Sequence, residues 1–115
     1  MRKLKPQPKI SIDNVLFATD FSPATDAAFS YATALADRYG SKLYVAHVIN
    51  LDSFDLLESE SVRVSIQQAR DEAERKITQL LVPLGLPGDR YQVTITEGAI
   101  SEALVDIIER HHIDL

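Results

Sequence analysis

The 115-residue chain contains no cysteine and only four glycines. Without cysteine there are no disulfides, no thiolate metal sites and no cysteine nucleophile. The glycines (Gly40, Gly85, Gly88 and Gly98) fit neither GxGxxG nor GxxxxGK[ST], so neither phosphate-cradling loop is written into the sequence. No apolar run is long enough to span a bilayer, and no apolar h-region follows the basic N-terminal residues. A cytoplasmic protein without a membrane partner is the expectation.

Basic residues are also scarce outside one end. Arg2, Lys3, Lys5 and Lys9 give +4 in the first nine residues, whereas the net charge is -5, leaving -9 on the remainder. An acidic body argues against a nucleic-acid partner, because neutralising phosphates takes clustered Lys and Arg. Pro6 and Pro8 disfavour regular structure in the leader, so residues 1–11 read as a flexible basic tail and 12–115 as one domain. With 45% hydrophobic and 25% charged residues, the composition is that of a globular chain with a modest core.

Residues 13–19 form a continuous apolar run that stops at Asp20, as expected of a parallel strand covered on both faces. Ser22 then suits an N-cap and Pro23 the first helical position, and Gly40 suits the helix stop. Between them Ala28, Tyr31, Ala32, Leu35 and Tyr39 recur at helical spacing, which predicts the buried stripe. Lys42 to Val48 reads as a second buried strand, and 50–61 as irregular. A second helix over 62–81 has Ile66, Ala69, Ala73, Ile77 and Leu80 on one stripe, with the i,i+4 pairs Asp71–Arg75 and Glu72–Lys76 outside. Tyr91, Val93 and Ile95 alternate with Gln92, Thr94 and Thr96, the pattern of a half-exposed edge strand. Ile100, Leu104, Ile107 and Ile108 define a third helix, with Arg110, His111 and His112 placed in its last turn.

The order β-α-β-α-β-α with right-handed crossovers gives an α/β fold with an open parallel sheet ordered 3-2-1. The most apolar strand then lies at an edge, and edges of that kind are normally covered or paired. A strand from more chain or from another molecule is expected there, hence a homo-oligomer through the exposed sheet edge.

Ligands of open α/β sheets sit beyond the carboxyl ends of the strands, which singles out Asp20. Its carboxylate has two readings: an acceptor for a ligand, or an acceptor for N–H groups where the next helix starts. Thr19 and Ser22 read as local caps, since no histidine base is placed beside them. His47 reads as a satisfied residue of a buried strand. His111 and His112, adjacent in sequence, point about 100° apart on a helix and do not make a metal site. Asp13 and Asp20 lie at opposite ends of one strand, roughly 20 Å apart, so they do not form a magnesium-binding carboxylate pocket of the phosphoacceptor kind.

Val15-Leu16-Phe17-Ala18-Thr19-Asp20-Phe21-Ser22, Ala27-Ala28, Gly40-Ser41-Lys42-Leu43 and Ala46-His47-Val48-Ile49 resemble the universal stress protein family in order and spacing. Glu97-Gly98, Glu102-Ala103-Leu104-Val105 and His112-Ile113-Asp114-Leu115 continue the pattern. The resemblance implies a Rossmann-like sheet ordered 3-2-1-4-5, of which 3-2-1 is visible in this sequence, so that residues 12–115 are expected to be a C-terminally incomplete domain of that family. It implies a stress-response regulatory protein, with ATP or another adenine nucleotide as ligand and magnesium only alongside that nucleotide. By position, Ala18, Thr19, Asp20 and Val48 would hold the adenine and ribose side. The glycines and Ser/Thr that hold the triphosphate are not in this sequence, so weak or absent ATP binding is expected of these 115 residues. No enzyme is implied beyond slow ATP hydrolysis in a complete protein. The alternative is a non-nucleotide-binding interaction and dimerisation module of the same fold.

Overall fold

Ser22 and Gly40 bracket the first helix as their chemistry dictates. In the computed structural model, which describes residues 10–51 and 60–115, the order is β1 (Asn14–Ala18), α1 (Pro23–Tyr39), β2 (Lys42–Asn50), α2 (Glu60–Leu81), β3 (Tyr91–Gly98) and α3 (Ile100–Arg110). Ser22 accepts a hydrogen bond from the Thr25 N–H at 3.3 Å, and Gly40 ends α1 at φ 63°, a left-handed conformation that costs glycine little. A short 3₁₀ turn, Val82–Leu84, closes α2. The basic-tail reading falls mostly on residues 1–9, outside the described residues, as does most of the segment read as irregular over 50–61; α2 itself begins two residues earlier than expected.

The three strands are parallel and lie side by side as β1-β2-β3, the expected order. Asn14 faces Lys42 and Ala18 faces Ala46; Leu43 faces Tyr91 and Asn50 faces Gly98. Side-chain alternation divides the sheet into two faces. Val15, Phe17, Leu43 and Val45 join Phe29 and Ala36 of α1 and Ile77 and Leu81 of α2 in one buried cluster, with Val45 at 0% exposure. Leu16, Ala18, Tyr44, Ala46 and Val48 therefore face the other way, toward α3, which crosses back over the sheet. Ile107 of α3 is buried, and the His111 ring lies 4.8 Å from that of Tyr44. No helix among the described residues is long and apolar enough to cross a membrane.

Four expectations need correction. The buried residues of α1 are Phe29 and Ala36, with Ala32 of the expected stripe half-buried beside them; Ala28 is exposed, and Tyr31 is 75% exposed. Alanines surround this helix, so its periodicity had two apolar solutions, and Phe29, with the most area to bury, selected the face. On α2, the expected Glu72–Lys76 pair is present at 3.9 Å, but Arg75 pairs with Glu72 instead of Asp71, which accepts from Gln67 Nε2 at 2.9 Å. On α3, Ile100 and Ile108 of the predicted stripe are half exposed. His111 is the C-cap, and His112, at φ 51°, lies past the helix end.

The outer edge of β1 is partly covered by the chain's own last residues. The Leu16 N–H donates to the Leu115 carbonyl at 2.8 Å, and the Asp114 N–H to the Asn14 carbonyl at 2.9 Å. The Asp114 carboxylate accepts from the N–H groups of both Asp13 and Asn14, each at 2.9 Å. The expected open edge is thus paired at its first half, and only the stretch toward Ala18 extends beyond Leu115.

Candidate functional site

Because β1 stops at Ala18 while β2 runs on to Asn50, the carboxyl end of the sheet has a step. A cleft of about 240 Å³ occupies it, lined by Ala18, Thr19, Asp20, Thr25, Ala46, Val48, Ile100 and Leu104. All four residues singled out from the sequence, Ala18, Thr19, Asp20 and Val48, line this one cleft. Ala46, Ile100 and Leu104 complete apolar walls, and Asp20 with the two threonines forms a polar lip.

The lip is built by an unusual turn. Phe21 takes φ 63°, a conformation disfavoured for a bulky side chain. Several contacts hold it there. Its N–H donates to Thr19 Oγ1 at 2.9 Å, its ring lies 4.5 Å from that of His47, and Lys76 Nζ sits 5.1 Å from the ring centroid. Next along the chain, the Ser22 N–H donates to Asp20 Oδ1 at 2.9 Å. Thr25 Oγ1 lies 3.1 Å from Asp20 Oδ1, 2.9 Å from the Ser22 carbonyl and 3.2 Å from Thr19 Oγ1. The carboxylate and carbonyl only accept, so the single Thr25 proton goes to them and Thr19 donates to Thr25. The helix-start reading of Asp20 is the one the hydrogen bonds show: Oδ1 accepts from the Ser22 N–H and the Thr25 hydroxyl, and the exposed residue lines the cleft.

Donation by Ser22, through side chain and backbone, holds the Asp20 carboxyl below its ordinary value of 3.8 against an opposing desolvation effect, with a lesser contribution from Thr25. The folded form is thus the stronger acid. Its stabilisation is present above pH 3.8 and is lost as pH falls through the lower folded value. Replacing Asp20 by Asn is expected to flatten that acid limb, as followed by urea unfolding between pH 2 and 5; an unchanged limb contradicts this assignment.

His47 is half-buried, as expected of a satisfied strand residue, with Nδ1 at 2.7 Å from the Thr19 carbonyl. A carbonyl has no proton to give, so Nδ1 carries the hydrogen. Ser22 caps α1, as expected. Among the described residues, no group of three or more His, Asp or Glu is placed to hold a metal ion.

Larger clefts lie elsewhere. One of about 340 Å³ sits at the amino end of β2, between Ala36, Leu43, Leu84, Leu86, Asp37 and Arg90. Another, of about 460 Å³, lies between β3 and α3. The first is chiefly apolar, and the ionic side chains Asp106 and Arg110 of the second pair with each other at 2.8 Å. The smaller cleft is favoured on chemistry: it sits at the carboxyl ends, where helix starts and unpaired backbone converge. Sequence reading missed Thr25, Ala46, Ile100 and Leu104. Thr25 stands three residues after the N-cap, where its hydroxyl can turn back, and that spacing was the available signal.

The sequence model of the universal stress protein family matches residues 11–115. No curated protein sequence matches the chain. Among solved structures, universal stress protein UspA from Lactobacillus plantarum superposes with a TM-score of 0.69 at 23% identity, covering 92% of this chain and 75% of that one. A universal stress family protein from Burkholderia pseudomallei gives 0.75 at 18% identity, over 92% and 80%. A universal stress protein in complex with cAMP gives 0.57 at 18% identity, over 91% and 74%. At these identities the three structures establish the shared fold.

Proposed function

Because the chain belongs to the universal stress protein family, we propose that it is a regulatory binding protein that takes the adenosine end of an adenine nucleotide in the cleft at the ends of β1 and β2. One observation carries this reading: an apolar cleft and an exposed carboxylate share the same step in the sheet. Ala18, Ala46, Val48, Ile100 and Leu104 suit a planar base, and the Asp20 carboxylate suits the hydroxyl donors of a ribose. The cyclic nucleotide bound by one structural relative supports the ligand class. The hydroxyls of Thr19 and Thr25 and the Asp20 carboxylate are engaged with one another and with the start of α1, so the chain is read as a binder rather than an enzyme. ATP is one member of the ligand class, and magnesium enters only with a phosphate-bearing ligand.

The cleft is smaller than a usual ligand pocket and the glycines fit no phosphate loop, so affinity on the order of 1 mM, about -4 kcal/mol, is expected. AMP, ADP and ATP should then bind within about threefold of one another, because the phosphates add little. A titration of the 115-residue chain with each nucleotide checks this. A steep gain from AMP to ATP, or no binding of any of them at several millimolar, contradicts it.

A second reading, an interaction module that associates through its sheet edge and helix faces, draws on different residues. Val105, Ile108 and Leu115 are half exposed and apolar, and the part of the β1 edge nearest Ala18 extends beyond Leu115. On that reading the nucleotides leave the cleft residues undisturbed.

A further inference from the structure

The β1–β2 ladder ends one rung earlier than the two strands require. Even-numbered residues of β2 direct their backbone groups at β1: the Lys42 N–H donates to the Asp13 carbonyl at 2.8 Å, and the Ala46 carbonyl accepts from the Thr19 N–H at 2.9 Å. Parallel pairing repeats every two residues, so the next bond should run from the Val48 N–H to the Thr19 carbonyl. It does not form. The Thr19 carbonyl instead accepts from His47 Nδ1 at 2.7 Å, and the Phe21 N–H, which would have met the Val48 carbonyl, goes to Thr19 Oγ1 at 2.9 Å. The Val48 N–H and C=O, which by this alternation point at β1, make no hydrogen bond to the Thr19–Phe21 stretch, while Val48 itself lines the cleft.

We propose that His47 is a positioning residue: its imidazole takes the place of the Val48 N–H on the Thr19 carbonyl and so leaves the Val48 amide pair available to the ligand's base. An unpaired donor and acceptor on one residue match the adjacent acceptor and donor on the edge of a purine. Half-buried polar groups of this kind are costly unless a partner arrives. The Phe21 turn contributes from the other side. Its left-handed backbone carries β1 away from β2, and the packing of its ring on His47 keeps the imidazole on Thr19. This rests on the nucleotide reading for its purpose, but the early end of the ladder is a property of the free protein.

The test uses His47→Ala, His47→Gln and His47→Asn in the full chain. Asn places an N–H close to where Nδ1 stands, Gln places one where Nε2 stands, and Ala places none. Amide hydrogen exchange at Val48 should be fast in the wild type and in His47→Asn. In His47→Ala and His47→Gln it should slow by about tenfold or more, as Val48 recovers the Thr19 carbonyl. General damage to the fold moves exchange the opposite way, so the sign separates positioning from destabilisation. AMP affinity should fall about tenfold in Ala and Gln and stay within twofold in Asn. Exchange at Val48 that is unchanged or faster in His47→Ala overturns the proposal, as does equal AMP binding by all four proteins. If the wild type binds no nucleotide, the functional reading fails by itself, and slower Val48 exchange in His47→Ala still upholds the role of His47 in ending the ladder.

Discussion

Phe29→Ala is expected to destabilise the domain by about 3–5 kcal/mol, the range for deleting a buried aromatic ring. Phe29 is 6% exposed and packs edge-on against Phe17, with ring centroids 5.1 Å apart. It is the largest side chain α1 contributes to the core cluster, and its other buried residue there is Ala36. Removing the ring leaves a void between α1 and β1 that neighbouring alanines have no length to fill. A small open sheet has a margin of roughly 5–15 kcal/mol, so the loss is a large share of it. Urea unfolding measures it directly. By contrast Tyr31→Ala, on the face that sequence periodicity wrongly assigned to the core, should change stability by no more than about 0.5 kcal/mol. A reversal of these two effects would show that α1 packs with its other face.

Ala18→Trp should abolish nucleotide binding, weakening it by at least about 30-fold, or roughly 2 kcal/mol. Ala18 is exposed and lies on the wall of the cleft, on the sheet face that α3 only partly covers. An indole there occupies the slot proposed for the base without displacing core atoms, so stability should move by no more than about 0.5 kcal/mol. Ala46, at 1% exposure, lines the same cleft, but enlarging it would overpack the sheet and confuse folding with binding. Comparing AMP titrations and melting curves of wild type and Ala18→Trp separates the two effects. Unchanged affinity in the folded variant would place the ligand elsewhere.

Features governed by nearest neighbours were legible in the sequence. Ser22-Pro23 and Gly40 bound a helix through local hydrogen bonds and dihedrals, and the alternation from Tyr91 to Thr96 matches the edge position of β3, although Val93 of its apolar set is 38% exposed. Asp20 was also within reach, since a strand end followed by a capped helix places it at the carboxyl edge of the sheet, whereas Ala18, Thr19 and Val48 entered only through the family resemblance. Features that depend on distant partners were not. The left-handed Phe21 contradicts local preference and is held by His47 and Lys76, 26 and 55 residues away in sequence. Pairing of Leu16 with Leu115 depends on Asp114 turning its carboxylate onto backbone N–H groups about 100 residues upstream. The face of α1 was ambiguous because a helix with alanine on every side has no clear apolar stripe; the sheet it meets decides.

The most direct test of the nucleotide cleft is a ¹H–¹⁵N chemical-shift titration of the 115-residue chain with AMP. The predicted result is saturable shifts at Thr19, Asp20, Val48 and Ile100, with residues around Leu84 and Arg90 at the opposite end of the sheet unmoved. Shifts confined to that opposite end, or none at several millimolar, would contradict the account.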